Sequence, residues 1–451
     1  MPAFVLHSAL FGETFGTAAM RAVFSDTATV QRYLDVEAAL ARAQAGLGMV
    51  PAEAAAAIAA AAEAGRLDWD RFARRTEVVG FPILPLVEQL VAWAPDGLGQ
   101  WCHWGATTQD IMDTADVLQF RAALDLCEAD LAAIAGALAA LAEAHAETPM
   151  AGRTHLQHAL PVSFGQKAAV WLSMIDRHRA RLAELRPRVE VVSFAGAAGT
   201  LASLGERGLE VQAALAGELS LALPDMGWHT ARDGFAEVTG WLALVAATLG
   251  KIGTDIALMM QTETGEVLEP YLPGRGASST MPQKRNPIGA EVMIATAKIV
   301  RERHALMLDA MVQDHERATG PWHVEWAAVP EAFLVTSAGL RAARETLEGL
   351  EVRPEAMAAV LETTRGLIVA EAVMMGLAPA LGRQVAHDLV HDCCRRALAG
   401  ETSFLDALEA EPQIAAVMDR DALARLVDPG NYLGTGPAMV RRLLARRAAG
   451  R

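Results

Sequence analysis

Three short stretches, read as loops that interrupt long helices, concentrate side chains that can bind acid groups or move protons: HWGATTQD (103–110), GRTHLQHALP (152–161) and GASSTMPQKRNP (276–287). The third gathers two serines, a threonine, Lys284, Arg285 and Asn286 among Gly276, Pro282 and Pro287, so it cannot be helical. Each stretch sits at or near the start of a long helical pattern. Helix starts carry unpaired N–H groups and the positive end of the dipole, which makes them anion sites. Thr107, Thr108, Lys284 and Asn286 add donors suited to carboxylates. The alternative reading of the same residues makes the threonines helix caps, Lys284 and Arg285 solvated charges, and the Gly/Ser/Pro stretch a connector.

These segments need long helices to hold them. The chain of 451 residues is 52% hydrophobic but only 5% aromatic, and rich in alanine, a composition that suits packed helices better than sheets. An all-α protein is expected. From Asp110 to about residue 147, Val117, Leu124, Leu131, Ile134, Leu138 and Leu141 recur at helical spacing, predicting a helix of about 35 residues, or roughly 50 Å. Further periodic segments at about 160–190, 233–262, 287–318 and 325–348 give an elongated bundle of about five long helices. It is flanked by two small helical domains, for a division into 1–108, 109–348 and 349–451. In the first of these, Ser25 and Asp26 are the cap candidates of a helix that closes at Gly46 and Gly48. A long bundle with an alanine-rich surface also predicts packing against copies of itself.

The formal charge of −15 argues against a general nucleic-acid binder, and the arginines of the tail VRRLLARRAAGR read as a solvated helix. Cys102, Cys127, Cys393 and Cys394 have no spacing that suggests a disulfide framework or a zinc site, which fits the cytoplasm. No basic region followed by an apolar core opens the chain, and apolar runs such as VTGWLALVAATLG fall short of about 18 residues, so no membrane association is expected. SFAGAAGTLASLG (193–205) lacks the Gly-Lys-Ser/Thr ending and the preceding strand of a nucleotide loop and reads as a packing or hinge segment.

SSTMPQKRNP resembles the signature of the fumarase/aspartase superfamily, and GATTQD and GRTHLQHALP resemble its two other signature regions in the expected order. Ala277 departs from the glycine that usually precedes the serine pair, yet both hydroxyls remain. The resemblance implies three helical domains and a homotetramer whose active sites are shared among three chains. It implies no metal or cofactor, and a di- or tricarboxylate substrate of succinyl type from which anti elimination releases fumarate. By the same resemblance Ser278 takes the Cβ proton, His155 protonates the leaving group and Glu291 orients His155, while Gln261 and Arg317 contact substrate; His103 reads as a second substrate-side histidine or as packing beside Trp101 and Trp104. Arg317 reads equally well as a surface arginine paired with Glu316 or Glu325. Serine is a weak base unless surrounding donors hold it as alkoxide, and the carbanion needs the same donors, which Lys284, Asn286 and the threonines could supply.

Several long stretches, among them FSDTATVQRYLDVEAALARA and GKIGTDIALMMQTETGEVLEP, resemble the bacterial 3-carboxy-cis,cis-muconate cycloisomerase subgroup. That subgroup closes a lactone, the reverse of an elimination, and its members replace the histidine of THLQ by tryptophan and the glutamate by a small residue. Retention of His155 and Glu291 therefore implies a carbon–nitrogen lyase ahead of a cycloisomerase. A non-catalytic structural oligomer is the reading from another class.

Overall fold

The computed structural model describes residues 5–450 apart from 272, 273, 275, 277–279 and 282. It is mostly helical. Helix α1 (Asp26–Gly46) begins as its cap chemistry dictates, with the Ser25 hydroxyl accepting from the Ala28 N–H, and stops before Gly48, whose φ is +70°. The long helices follow as α2 (Thr108–Ala144), α3 (Phe164–Val189), α4 (Asp233–Met259), α5 (Ile288–Ala310) and α6 (Pro321–Glu348). Their positions agree with the apolar periodicity. On α2, Val117, Leu124, Leu131, Ile134 and Leu138 are at most 1% exposed, and burial of each such side chain contributes about 1.5–3 kcal/mol.

The stretch expected to be a loop at 152–161 is instead a β-hairpin. Strands β1 (Pro149–Thr154) and β2 (Gln157–Ser163) pair antiparallel, with a register shift between Ala151 and Arg153. Gly152 makes the bulge possible, since a Cβ there would lie 2.6 Å from the Leu160 carbonyl oxygen. A second short pair joins β3 (Val267–Leu268) to β4 (Glu351–Val352).

The chain divides into two compact units that interleave along the sequence. The first comprises Met1–Leu131, His178–Gly250 and Val292–Arg341. Its core holds the aromatic cluster Phe120, Phe235 and Phe333 and a buried charge network in which Arg232 donates to Asp113 (2.7 Å) and Glu325 (3.0 Å). The second comprises Ala132–Arg177, Lys251–Glu291 and Ala342–Arg451. It is built on Leu377, Val390, Phe404 and Leu408 of the C-terminal segment. The basic tail is a helix, Gly436–Ala448, that buries Val440 against Ala142 and Ala168 and pairs Arg441 with Glu147 and Arg447 with Asp176.

One expectation needs correction. α4 is long and apolar enough by length and composition to cross a membrane, because its few polar residues are widely spaced, and counting only uninterrupted apolar runs hides this. Of its most apolar window, 56% is buried inside the protein, as in a core helix. The four cysteines are free thiols.

Candidate active site

In the first unit the HWGATTQD segment turns into α2 around a single carboxylate. Asp110 is fully buried and accepts from the Thr107 N–H (2.9 Å), the Ala195 N–H (2.8 Å) and the Gly196 N–H (3.0 Å), with His229 Nε2 at 2.8 Å. Thr107 precedes the helix, its carbonyl accepting from the Asp110 N–H (3.0 Å), and the Asp110 side chain, three residues on, reaches back to its N–H as in a capping box. The same carboxylate seats the 193–205 segment on the start of α2, so that segment does pack here. Thr114 reinforces the join, its hydroxyl donating to the Ser193 carbonyl (2.7 Å) and accepting from the Ser193 N–H (3.0 Å).

His103 is held from the other side. Glu37 of α1, itself buried, meets His103 Nδ1 at 2.6 Å with one oxygen, while the other accepts from the His103 N–H (3.1 Å) and the Cys102 thiol (3.5 Å). Burial alone pulls the imidazole toward its neutral form. The Glu37 charge and hydrogen bond outweigh it and raise the pKa above the ordinary histidine value. With Nδ1 engaged, Nε2 is the nitrogen left to face a ligand.

Arg317 joins this group and pairs with neither Glu316 nor Glu325. Its Nε donates to Gln109 Oε1 (3.1 Å) and its Nη1 to the Ala197 carbonyl (3.2 Å), while Gln109 is anchored on the His229 carbonyl (2.8 Å). Its Nη2 is buried with no hydrogen-bond partner among the described residues. A buried guanidinium N–H without a partner is costly and is the signature of a place for an acceptor. His103, Thr107, Thr108 and Arg317 thus form one donor-rich neighbourhood.

The second unit carries the other candidates. His155 and Leu156 form the tip of the hairpin with φ of +52° and +62°, between Thr154 and Gln157, which face each other across the strands. His155 is exposed there. Further down the strands Arg153 pairs with the fully buried Glu266 (3.0 Å). His158 has its Nδ1 buried without a hydrogen-bond partner among the described residues, and burial, aided by Arg153, pulls its pKa below the ordinary histidine value.

Ser278 lies outside the described residues, as does Ala277. The neck of its segment is defined. Asn286 donates to the Gly276 carbonyl from both its backbone N–H (3.2 Å) and its side-chain Nδ2 (3.1 Å), closing a ring from 276 to 286. Gly276 has φ of +68° and sits so close that a Cβ would fall 2.8 Å from the Asn286 oxygen. Lys284 and Glu291 are exposed, as is Gln261 at the end of α4. Among the described residues no hydrogen bond or ion pair joins His155 to Glu291.

The start of α5 is not an open anion site. The buried carboxylate of Glu269 accepts from the Gly289 N–H (3.0 Å) and the Ala290 N–H (2.8 Å) and fills it. Glu269, Glu37, Gln109 and His229 are positioning residues that sequence reasoning left out. Glu37 carries a readable signal, since it lies three residues from both Leu34 and Leu40 on a buried apolar stripe, where a carboxylate needs a reason. Asp110 shows the capping-box spacing. Gln109 and His229 carry no such mark. No group of three His, Cys, Asp or Glu among the described residues could hold a metal ion.

Comparison with known proteins gives the family of the chain. The lyase family model matches residues 13–301, and the model of the adenylosuccinate lyase C-terminus matches 366–443. The chain is 49% identical to trans-aconitate decarboxylase 1 of Mycosarcoma maydis, over 96% of this chain and 88% of that protein. It is also 49% identical to 3-carboxy-cis,cis-muconate cycloisomerase of Pseudomonas aeruginosa, over 98% of this chain and 96% of that one. Its fold matches the crystal structure of a fumarate lyase from Mesorhizobium sp. BNC1 with a TM-score of 0.90 and 53% identity, covering 96% of this chain and 98% of that chain. The chain belongs to the lyase family and is an enzyme of the fumarase/aspartase superfamily.

Proposed function

We propose that the protein is a lyase acting on a succinyl-type carboxylate, removing a proton from the carbon beside an acid group and expelling a nitrogen substituent to release fumarate. The observation that carries this reading is the donor cluster at the start of α2. Arg317 with its unpartnered buried Nη2, His103 held toward its charged form by Glu37, and the hydroxyls of Thr107 and Thr108 together suit a substrate with more than one carboxylate. The retention of both His155 and Glu291 and the 53% identity to a fumarate lyase support the direction of the reaction.

In this reading Ser278 is the base, working as an alkoxide from the loop whose neck Asn286 closes. Lys284 and Asn286 stabilise the carbanion beside the carboxylate, and Gln261 contacts substrate. His155, oriented by Glu291, hands its proton to the departing nitrogen. The working unit in this reading is a homotetramer in which neighbouring chains complete each site, as the resemblance to the superfamily implies, and its compartment is the cytoplasm. A second reading, the lactonising 3-carboxy-cis,cis-muconate cycloisomerase, is favoured by the 49% identity over 98% of the chain to an enzyme of that name.

A substrate panel tests the proposal. Purified protein is supplied with N-substituted aspartates, with fumarate plus ammonium, with 3-carboxy-cis,cis-muconate and with trans-aconitate, and products are followed by proton NMR. Fumarate from an aspartate is the expected result. Turnover of muconate alone establishes the second reading, and inertness toward every compound points to a structural oligomer.

A further inference from the structure

We propose that the second unit contains a separate binding site for a small organic monoanion, a single carboxylate on an apolar body, in the cavity between the hairpin and helices α3 and α4. This goes beyond the proposed reaction and does not depend on it. The cavity has a volume of about 370 Å³ and is lined by both strands, by Lys167 and Trp171 of α3 and by Lys251 and Asp255 of α4. Among the described residues, none of His155, Glu291, Lys284 or Asn286 lines it.

Its charges leave one cation over. Arg153 is matched by Glu266 at 3.0 Å. Lys251 pairs with Asp255, which also accepts from the Trp171 indole N–H at 3.0 Å. Lys167 makes no ion pair or hydrogen bond with any described residue, and burial pulls its pKa below the ordinary lysine value against the nearby charge of Asp255. Lys167 is half-buried, and its ammonium, unpaired among the described residues, is the surplus charge of this wall, which one negative charge on an occupant balances. The remaining wall is mainly apolar, with Leu160, Val162, Val170 and Trp171 beside the uncharged polar Thr154 and Gln166. One surplus charge against an apolar lining selects one carboxylate carrying a hydrocarbon or aromatic body, and disfavours a dianion, whose second charge would be buried unpaired.

The test is calorimetric titration of the full-chain protein with benzoate, acetate and benzyl alcohol as probes. We expect one benzoate per chain, bound more tightly than either acetate or benzyl alcohol. Lys167→Met should weaken benzoate at least tenfold, Lys167→Arg should retain it, and His155→Gln should leave it unchanged. Leu160→Trp fills the space while keeping the ammonium, and should abolish binding even if Lys167→Met folds poorly. The proposal is overturned by absence of benzoate binding to the unmodified protein, by equal affinity for benzyl alcohol, by binding unaffected in both Lys167→Met and Leu160→Trp, or by loss of binding in His155→Gln.

Discussion

The neighbourhood at the start of α2 and the tip of the β1–β2 hairpin both carry histidines, yet they are built on opposite plans. His103 is held by three contacts from Glu37 to itself and its neighbour, within a buried network in which Asp110 alone accepts from three backbone N–H groups. His155 stands exposed on a two-residue turn, with no described residue to orient it. The first plan suits binding, because donors fixed before the ligand arrives need no reorganisation. The second suits a group that is completed by something outside the chain. A donor cluster finished within one chain and a proton-transfer group left unfinished is the arrangement expected if active sites are assembled between chains.

The comparison breaks most severely if Asp110 is removed. Asp110→Ala leaves two buried N–H groups, the half-buried Thr107 N–H and His229 Nε2 without their acceptor, and is expected to destabilise the fold by about 3–5 kcal/mol in urea unfolding. A loss below 1 kcal/mol would mean that the network is not a rigid scaffold. Glu37→Gln is a finer probe. It removes the charge that outweighs burial, so the His103 pKa should fall below the ordinary histidine value, which imidazole NMR measures in the absence of substrate. Because the folded pKa of His103 is raised, its stabilising contribution is present below the unfolded pKa of about 6.5 and is lost as pH rises through the folded value. Glu37→Gln should remove that slope. The expected change in substrate binding is about 1–3 kcal/mol, appearing in KM before kcat.

The smallest effect falls on the hairpin. Leu156 is 73% exposed and held at φ of +62°, so Leu156→Gly removes little packing and relieves a left-handed residue. Thermal unfolding should show a stabilisation of about 1 kcal/mol or less, whereas destabilisation would mean that Leu156 is buried in the working assembly.

The helices were legible because their cores repeat. The stripe from Val117 to Leu138 needs no tertiary information, and Ser25 and Gly48 mark the ends of α1 by local chemistry alone. The hairpin was not legible, since Gly152, Pro149 and Pro161 read as loop residues, and only the pairing across the bulge makes strands of them. The segments able to do chemistry stood out through their signature resemblance. Their supports did not: Glu37 meets His103 across 66 positions of sequence and Arg317 meets Gln109 across 208. Glu269 fills a helix start that looked open because its two N–H partners come 20 and 21 residues later.

The central claim is a division of labour, with carboxylate binding at the start of α2 and proton removal by Ser278. The direct measurement compares Ser278→Ala with Arg317→Gln, reading turnover of the succinyl substrate and calorimetric affinity for fumarate in each. The account predicts that Ser278→Ala loses roughly 10²–10⁴-fold in kcat with fumarate affinity intact, while Arg317→Gln loses affinity. An active Ser278→Ala enzyme, or one that fails to bind fumarate while Arg317→Gln binds it normally, would contradict it.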